Sequence, residues 1–281
     1  MKHIEIIKDY HKITKVIRND LKKYLQKHNR KSLVIGVSGG IDSALVCALV
    51  KPVCDELCIS LIGRSISIQG NKKDEVQRSR LIGNNFCSNF RHINVDLLYD
   101  NFKNYTQHQI EDDNTYKIRL GNIKARMRMI LLYDLAHVYR GLVLGTENLT
   151  EYYLGFFTLH GDSAADYSPI QQLWKTEVYN LAEYLISTEL NPDEAFALKS
   201  CIDSNATDGL GISETDLDQI LPSWKTKHDS TSSGYKEIDK IFINHFNGKK
   251  LSKDHTIIQR MNSTNFKRKG MIFVSRNKFL K

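Results

Sequence analysis

Six consecutive residues, Ser38-Gly39-Gly40-Ile41-Asp42-Ser43, have the types and spacing needed to grip a phosphate chain. They follow the apolar run 33–37 and precede a second apolar run, 44–50, so a buried strand feeds a glycine turn that opens a helix. Without side chains at Gly39 and Gly40 the backbone can approach a ligand closely, and the first N–H groups of a helix point outward with partial positive charge. A Walker-type loop carries lysine before its terminal Ser/Thr, whereas here Asp42 holds that place. An acid beside phosphate calls for a bridging cation. The turn therefore reads as a site for a nucleotide's pyrophosphate with Mg²⁺, Ser38 and Ser43 adding hydroxyl donors and Asp42 holding the metal. The competing reading is a tight strand-to-helix turn with no ligand, in which Asp42 and Ser43 merely suit a first helical turn.

Two further blocks carry chemistry. One is Gly121-Asn122-Ile123-Lys124-Ala125-Arg126-Met127-Arg128-Met129; the other runs from Leu144-Gly145-Thr146-Glu147-Asn148 through Glu151, Gly155-Phe156-Phe157-Thr158, Gly161-Asp162, Asp166 and Pro169 to Lys175. Arg126 lies three residues from both Ile123 and Met129, so its neighbours can pack while the guanidinium reaches an anion. Glu151 is a second candidate metal ligand, against the alternative of a solvated helix carboxylate. Lys175 starts a helix, where its charge opposes the dipole and points to an anion nearby; an exposed lysine without a role is the alternative. For Arg126 and Asp166 an internal salt bridge is the main competing explanation.

In this order and spacing the three blocks resemble ammonia-dependent NAD synthetase, of the N-type ATP pyrophosphatase superfamily, over about residues 30 to 220. The resemblance implies an α/β fold, a doubly wound parallel sheet flanked by helices, like the adenine nucleotide alpha hydrolases. It implies ATP contacts at Gly36, Val37, Ser38, Gly39, Gly40, Ile41 and Ser43, joined by Arg64, Thr146, Lys175 and Thr207. Asp42 and Lys175 take the catalytic roles, and Asp42 with Glu151 matches the magnesium positions. Arg126, Asp166, Phe266 and Lys267 match positions for deamido-NAD, the acid form of NAD. Two departures stand out: Leu159 occupies a place where many relatives have lysine, and Phe266-Lys267-Arg268 stands where relatives often read His-Lys-Arg. A stacking phenylalanine replaces the imidazole.

The implied reaction joins a carboxylate to ammonia after ATP has converted the carboxylate to an adenylate, releasing AMP and pyrophosphate. Two anions must meet, so metal and fixed cations have to neutralise charge. No residue is singled out as the base that takes ammonia's proton, and Asp162 reads as an ordinary loop aspartate. The residues outside the synthetase region cannot encode a glutaminase domain, so free ammonia, or ammonia handed over by another protein, is implied. A tRNA-modifying pyrophosphatase that adenylates a base shares the phosphate turn, and a nucleotide-binding regulator without activity is a third possibility.

The elements that must position these residues alternate. Apolar runs at 33–37, 57–62, 92–95 and 142–144 are separated by helical periods such as 73–87 and 116–139, the pattern of a parallel sheet covered on both faces. All three blocks begin or lie near strand carboxyl ends, which predicts one shared site. An amphipathic helix at 3–27 leads; the segment from His228 to Gly234 reads as a mobile loop, and 221–281 as a helical, basic tail of one 281-residue domain. The formal charge of +8 suits polyanionic nucleotides, and dispersed basic residues without aromatic interleaving argue against nucleic acid. Five cysteines without C-x-x-C spacing imply reduced structural thiols and no zinc site. No signal peptide or membrane-spanning run is legible, which implies a cytoplasmic protein. The family resemblance also implies a homodimer, with which the apolar helices at 3–25 and 116–139 are compatible.

Overall fold

The computed structural model describes residues 4–69, 72–106, 112–204, 215–221, 224, 228–249, 255–270 and 272–278. In chain order the elements are α1 (Tyr10–Lys27), β1 (Ser32–Gly36), α2 (Ile41–Leu57), β2 (Ser60–Ser67), α3 (Lys73–Phe86), β3 (Asn89–Asn94), α4 (Asp96–Asn104), α5 (Asp113–Val138) and β4 (Gly141–Val143). They continue with α6 (Leu149–Leu154), α7 (Lys175–Thr188), α8 (Pro192–Ile202), α9 (Asp216–Ile220), α10 (Thr231–Phe246) and α11 (Thr256–Ser263), followed by a short 3-10 turn at Asn265–Arg268.

The four strands pair in the order β3-β2-β1-β4, and every pairing is parallel. The chain therefore winds outward from β1 in one direction and then returns to lay β4 on the other side of β1. That reversal opens a crevice beyond the carboxyl ends of β1 and β4. Alternation along the strands sorts the core. Leu33 and Ile35 face the layer that holds α1, α2, α7 and α8, while Val34, Ile62 and Val143 face the layer that holds Tyr99 of α4 and Met127, Leu132 and Ala136 of α5. Both faces of the sheet are thus covered, as its apolar strands require. Among the described residues no helix is long and apolar enough to cross a membrane.

Several boundaries differ from the sequence reading. The run at 57–62 spans two elements, because α2 continues to Leu57 and is stopped by Cys58 in the left-handed conformation (φ 50°) before β2 begins at Ser60. α2 is buried on nearly all sides, so its apolar pattern carries no period that marks an end. The leading helix starts at Tyr10, not at residue 3, because Asp9 caps it by accepting from Lys12 N at 2.9 Å. Of the segment from His228 to Gly234, only His228 to Ser230 stay outside a helix, and Thr231 to Gly234 form the first turn of α10. Ser230 accepts from Ser233 N at 3.2 Å as the cap of α10, and Gly234 packs so closely on Leu217 that a Cβ would lie 2.6 Å from its Cδ1.

The segment before α1 is tied to α7 through Glu177. This buried carboxylate accepts from Ile7 N at 2.6 Å and from Trp174 N at 2.8 Å. Burial pushes its pKa up to about 7 against those two donors, and burial likewise pushes Asp239 up to about 6. A carboxyl whose folded pKa is raised stabilises the fold fully below its unfolded pKa, and that contribution is lost as pH rises through the folded value. The thermal midpoint is therefore expected to carry a falling component between about pH 4.3 and 7. Calorimetry across that window tests it: Glu177→Gln should flatten the fall, and an unchanged slope would assign it elsewhere.

Candidate active site

The phosphate turn is fixed from three sides before any ligand arrives. Ser38 N donates to Ser43 Oγ at 3.2 Å, Ser43 Oγ donates to Gly40 O at 3.1 Å, and Gly40 N donates to Ser38 Oγ at 3.2 Å. Gly39 has φ +85°, and a Cβ there would lie 2.3 Å from Glu75 O of α3, so the turn needs glycine for both conformation and space. Its carbonyl accepts from Arg78 Nε at 2.9 Å and from the Cys201 thiol at 3.4 Å. Gly40 is the cap of α2, and Asp42 lies in the first helical turn.

Across the crevice, the chain leaving β4 reaches α6 through Asn148. This residue caps α6 by accepting from Glu151 N at 3.0 Å, and its amide Nδ2 donates to Asp42 Oδ1 at 2.8 Å. One side chain thus joins the two strand-end loops. Lys175 closes the arrangement from α7: its Nζ donates to Asp42 Oδ2 and, at 3.0 Å, to Glu151 Oε1. Only 1 % of Lys175 is exposed. The sequence suggested a ligand anion near this lysine, and the anions that face it are Asp42 and Glu151 of the protein itself. Its backbone is anchored too, Lys175 N donating to Thr150 Oγ1 at 2.8 Å while Thr150 donates to the buried Asp239.

Burial alone would draw the Lys175 pKa down, but Asp42 and Glu151 reverse that and hold the ammonium charged, well above the ordinary lysine range. Burial pushes Glu151 up to about 7, with Lys175 opposing the rise and Asp42 adding to it. Two converging carboxylates on one buried cation form a point where positive charge is strongly favoured. Hard carboxylate oxygens of this kind have the chemistry that suits Mg²⁺. Among the described residues no group of three or more His, Cys, Asp or Glu gathers as a metal cluster.

The crevice widens into a cavity of about 580 Å³, a volume suited to a nucleotide. Gly36, Val37, Ser38, Gly40, Ile41, Asp42, Ser43, Arg64, Thr146, Glu151, Lys175 and Lys267 line it. Arg64 is buried and spends its Nη1 on Gly63 O at 2.7 Å and Asn89 O at 3.0 Å. Lys267 Nζ donates to Gly155 O at 2.8 Å and Phe157 O at 2.7 Å, holding the loop after α6. Four expected positions do not line the cavity: Gly39, which is packed against α3, and three of the deamido-NAD positions. Arg126 donates from Nε to Leu159 O at 3.1 Å, Asp166 Oδ2 accepts from Val143 N at 2.8 Å, and Phe266 stands 58 % exposed. Thr207 lies outside the described residues.

Sequence reasoning missed the α5 residues that do line the cavity. Gly121, Lys124, Ala125, Arg128, Met129 and Leu132 face it, a spacing of three and four that defines one helical stripe. Arg126 falls off that stripe, two residues from both Lys124 and Arg128. Lys124 Nζ donates to Gln69 O at 2.8 Å and lies over the Tyr99 ring, and Arg128 Nε donates to Ile66 O at 3.1 Å. The helical period within the block was the signal that could have found them.

Comparison with known proteins follows the same lines. The family model described as NAD synthase matches residues 13–271. The chain is similar to NH3-dependent NAD(+) synthetase from Saccharolobus solfataricus, 35% identical over 76% of this chain and 74% of that protein. Among solved structures it resembles NMN synthetase from Francisella tularensis, with a TM-score of 0.76 and 25% identity over 96% of this chain and all, 100%, of that one. It also resembles NH3-dependent NAD synthetase from Campylobacter jejuni, with a TM-score of 0.67 and 26% identity over 95% of this chain and 100% of that one.

Proposed function

Because the chain belongs to the NAD synthase family, we propose that it is a ligase that amidates deamido-NAD with ammonia at the expense of ATP. The observation that carries this reading is the meeting of Asp42, Glu151 and Lys175 beside the phosphate turn, where both strand-end loops line the cavity. The tRNA-modifying and inactive-regulator alternatives are not favoured by relatives matched over most of the chain.

In the first step the nicotinate carboxylate of the substrate attacks the α-phosphorus of ATP, the bond from that phosphorus to the bridging oxygen breaks, and pyrophosphate leaves. The preset turn and the start of α2 hold the phosphates, with Ser38 and Ser43 as hydroxyl donors. Lys175 places a fixed positive charge where negative charge grows. When bound by Asp42 and Glu151, magnesium supplies neutralisation of the phosphates. In the second step ammonia attacks the acyl carbon, the carbon–oxygen bond to the adenylate breaks, AMP leaves with that electron pair, and the nitrogen sheds a proton. Arg64, Lys124 and Arg128 on the cavity wall suit the anionic dinucleotide.

A second reading concerns the length of the acid substrate. A solved structure of like fold is named an NMN synthetase, which makes the acid mononucleotide the alternative substrate, with the same two steps and the same residues. One experiment covers both. Purified protein with ATP and Mg²⁺ is given deamido-NAD or nicotinate mononucleotide, with ammonium or glutamine, and the amide and AMP are followed by mass spectrometry. Amide from deamido-NAD with ammonium is the expected result; a larger kcat/KM for the mononucleotide would select the second reading. No amide in any vessel would overturn both.

The family resemblance also suggests a homodimer. Ile130 and Val138 of α5 and Leu97 and Leu98 of α4 stand exposed, apolar surface that a second copy would cover. A monomer at micromolar concentration in sedimentation equilibrium would remove that suggestion.

A further inference from the structure

Arg78 of α3 lines the cavity together with Ser38, Gly40 and Cys201 and is half-buried in its wall. Its Nε donates to the carbonyl of Gly39 at 2.9 Å, so the guanidinium is fastened to the phosphate turn itself. Nη1 and Nη2 are left unengaged. Among the described residues Arg78 makes no other hydrogen bond and no ion pair. Glu75, which lies one turn earlier on α3 and also lines the cavity, turns its carboxylate back to accept from Lys72 N at 3.3 Å.

The lysines on the cavity wall are committed to the protein. Lys175 faces Asp42 and Glu151, two carboxylates that outweigh its single charge, while Lys124 donates to Gln69 O and Lys267 to the carbonyls of Gly155 and Phe157. Arg78 faces no such partner. It presents a planar fork, held by Nε at the turn, and a fork of this kind matches two phosphate oxygens at once. Charge selects the outer phosphates of ATP. They carry more negative charge than the α-phosphate, and when the bond from the α-phosphorus to the bridging oxygen breaks, the electron pair stays on that oxygen and the departing pyrophosphate gains the charge.

Resting on the amidation reading, we propose that Arg78 binds the β- and γ-phosphates of ATP through Nη1 and Nη2 and holds the pyrophosphate as it leaves. The adenosine and the α-phosphate lie outside its reach.

The test measures binding of ATP, pyrophosphate and AMP, each with Mg²⁺, to the natural protein, Arg78→Met and Cys201→Ala by isothermal titration. Arg78→Met keeps an unbranched stem and removes the guanidinium. The expected result is a Kd raised by roughly tenfold or more for ATP and pyrophosphate, as for loss of hydrogen bonds between charged groups. The AMP Kd should stay within about twofold, the scatter of a substitution that touches no contact. Unchanged pyrophosphate binding, or equal losses for AMP and pyrophosphate, would overturn the proposal. Cys201→Ala removes the other donor to the Gly39 carbonyl, at 3.4 Å, without altering charge. A pyrophosphate Kd raised as far there as in Arg78→Met would mean that Arg78 merely shapes the turn, and the proposal falls; a clearly smaller rise supports direct contact. Should Arg78→Met not fold, Arg78→Lys, which keeps the charge but loses the fork, is expected to weaken pyrophosphate selectively and by less, and an equal or absent effect overturns the proposal there too. Amide formation followed in parallel separates the two readings. No amide from the natural protein sinks the amidation reading and the leaving-group role with it, whereas amide from the natural protein with no selective loss in the variants sinks the role of Arg78 alone.

Discussion

Replacing Asp42 by alanine is expected to slow release of AMP and pyrophosphate by roughly 10²–10³-fold, the scale of losing one preorganised electrostatic contact to the transition state. Asp42 accepts from Asn148 and from Lys175, so its removal unties the β1 and β4 loops from each other as well as removing a carboxylate from the candidate magnesium position. The Mg²⁺ concentration for half-maximal rate should rise in parallel. A steady-state assay of AMP formation across Mg²⁺ concentrations separates the two contributions. Turnover unchanged in Asp42→Ala would remove both the metal assignment and the catalytic role.

Lys175→Met should have the largest effect on stability. The lysine is almost wholly enclosed, and its ammonium faces two buried carboxylates. Removing one partner of such a group leaves the others uncompensated, at a cost of about 3–5 kcal/mol. Asp42 and Glu151 would then face each other with no cation between them. Two consequences follow from that geometry: the thermal midpoint falls, and added Mg²⁺ raises it again by more than in the natural protein, because the carboxylates have lost their internal counter-charge. Differential scanning calorimetry with Mg²⁺ and with a chelator reads both. Equal metal responses in the two proteins would mean that the carboxylates do not share a cation position.

The phosphate turn was legible because everything that makes it is contiguous: an apolar strand, two glycines and a helix start within a dozen residues. The alternation of strands and helices likewise announced a parallel sheet. Lys175 shows where such reading stops. Its place at a helix start pointed to an anion, but the anions turn out to be Asp42 after β1 and Glu151 in α6, brought to it by the return of the chain to β4. Arg126 was chosen from its block for its charge, its spacing from Ile123 and Met129 and its match to the family, whereas the stripe of α5 that lines the cavity carries Lys124 and Arg128. Segments that combine an apolar run with an unmarked helix end, as at 57–62, shifted by several residues for the same want of a local signal.

What the sequence by itself determined is the fold class and the phosphate turn, because these depend on residues near one another in the chain. Tertiary structure alone decided which carboxylates share the Lys175 ammonium and which face of α5 meets the cavity. Those outcomes depend on the strand order and on burial. Both are set by contacts between residues far apart in sequence, where spacing along the chain carries no distance information.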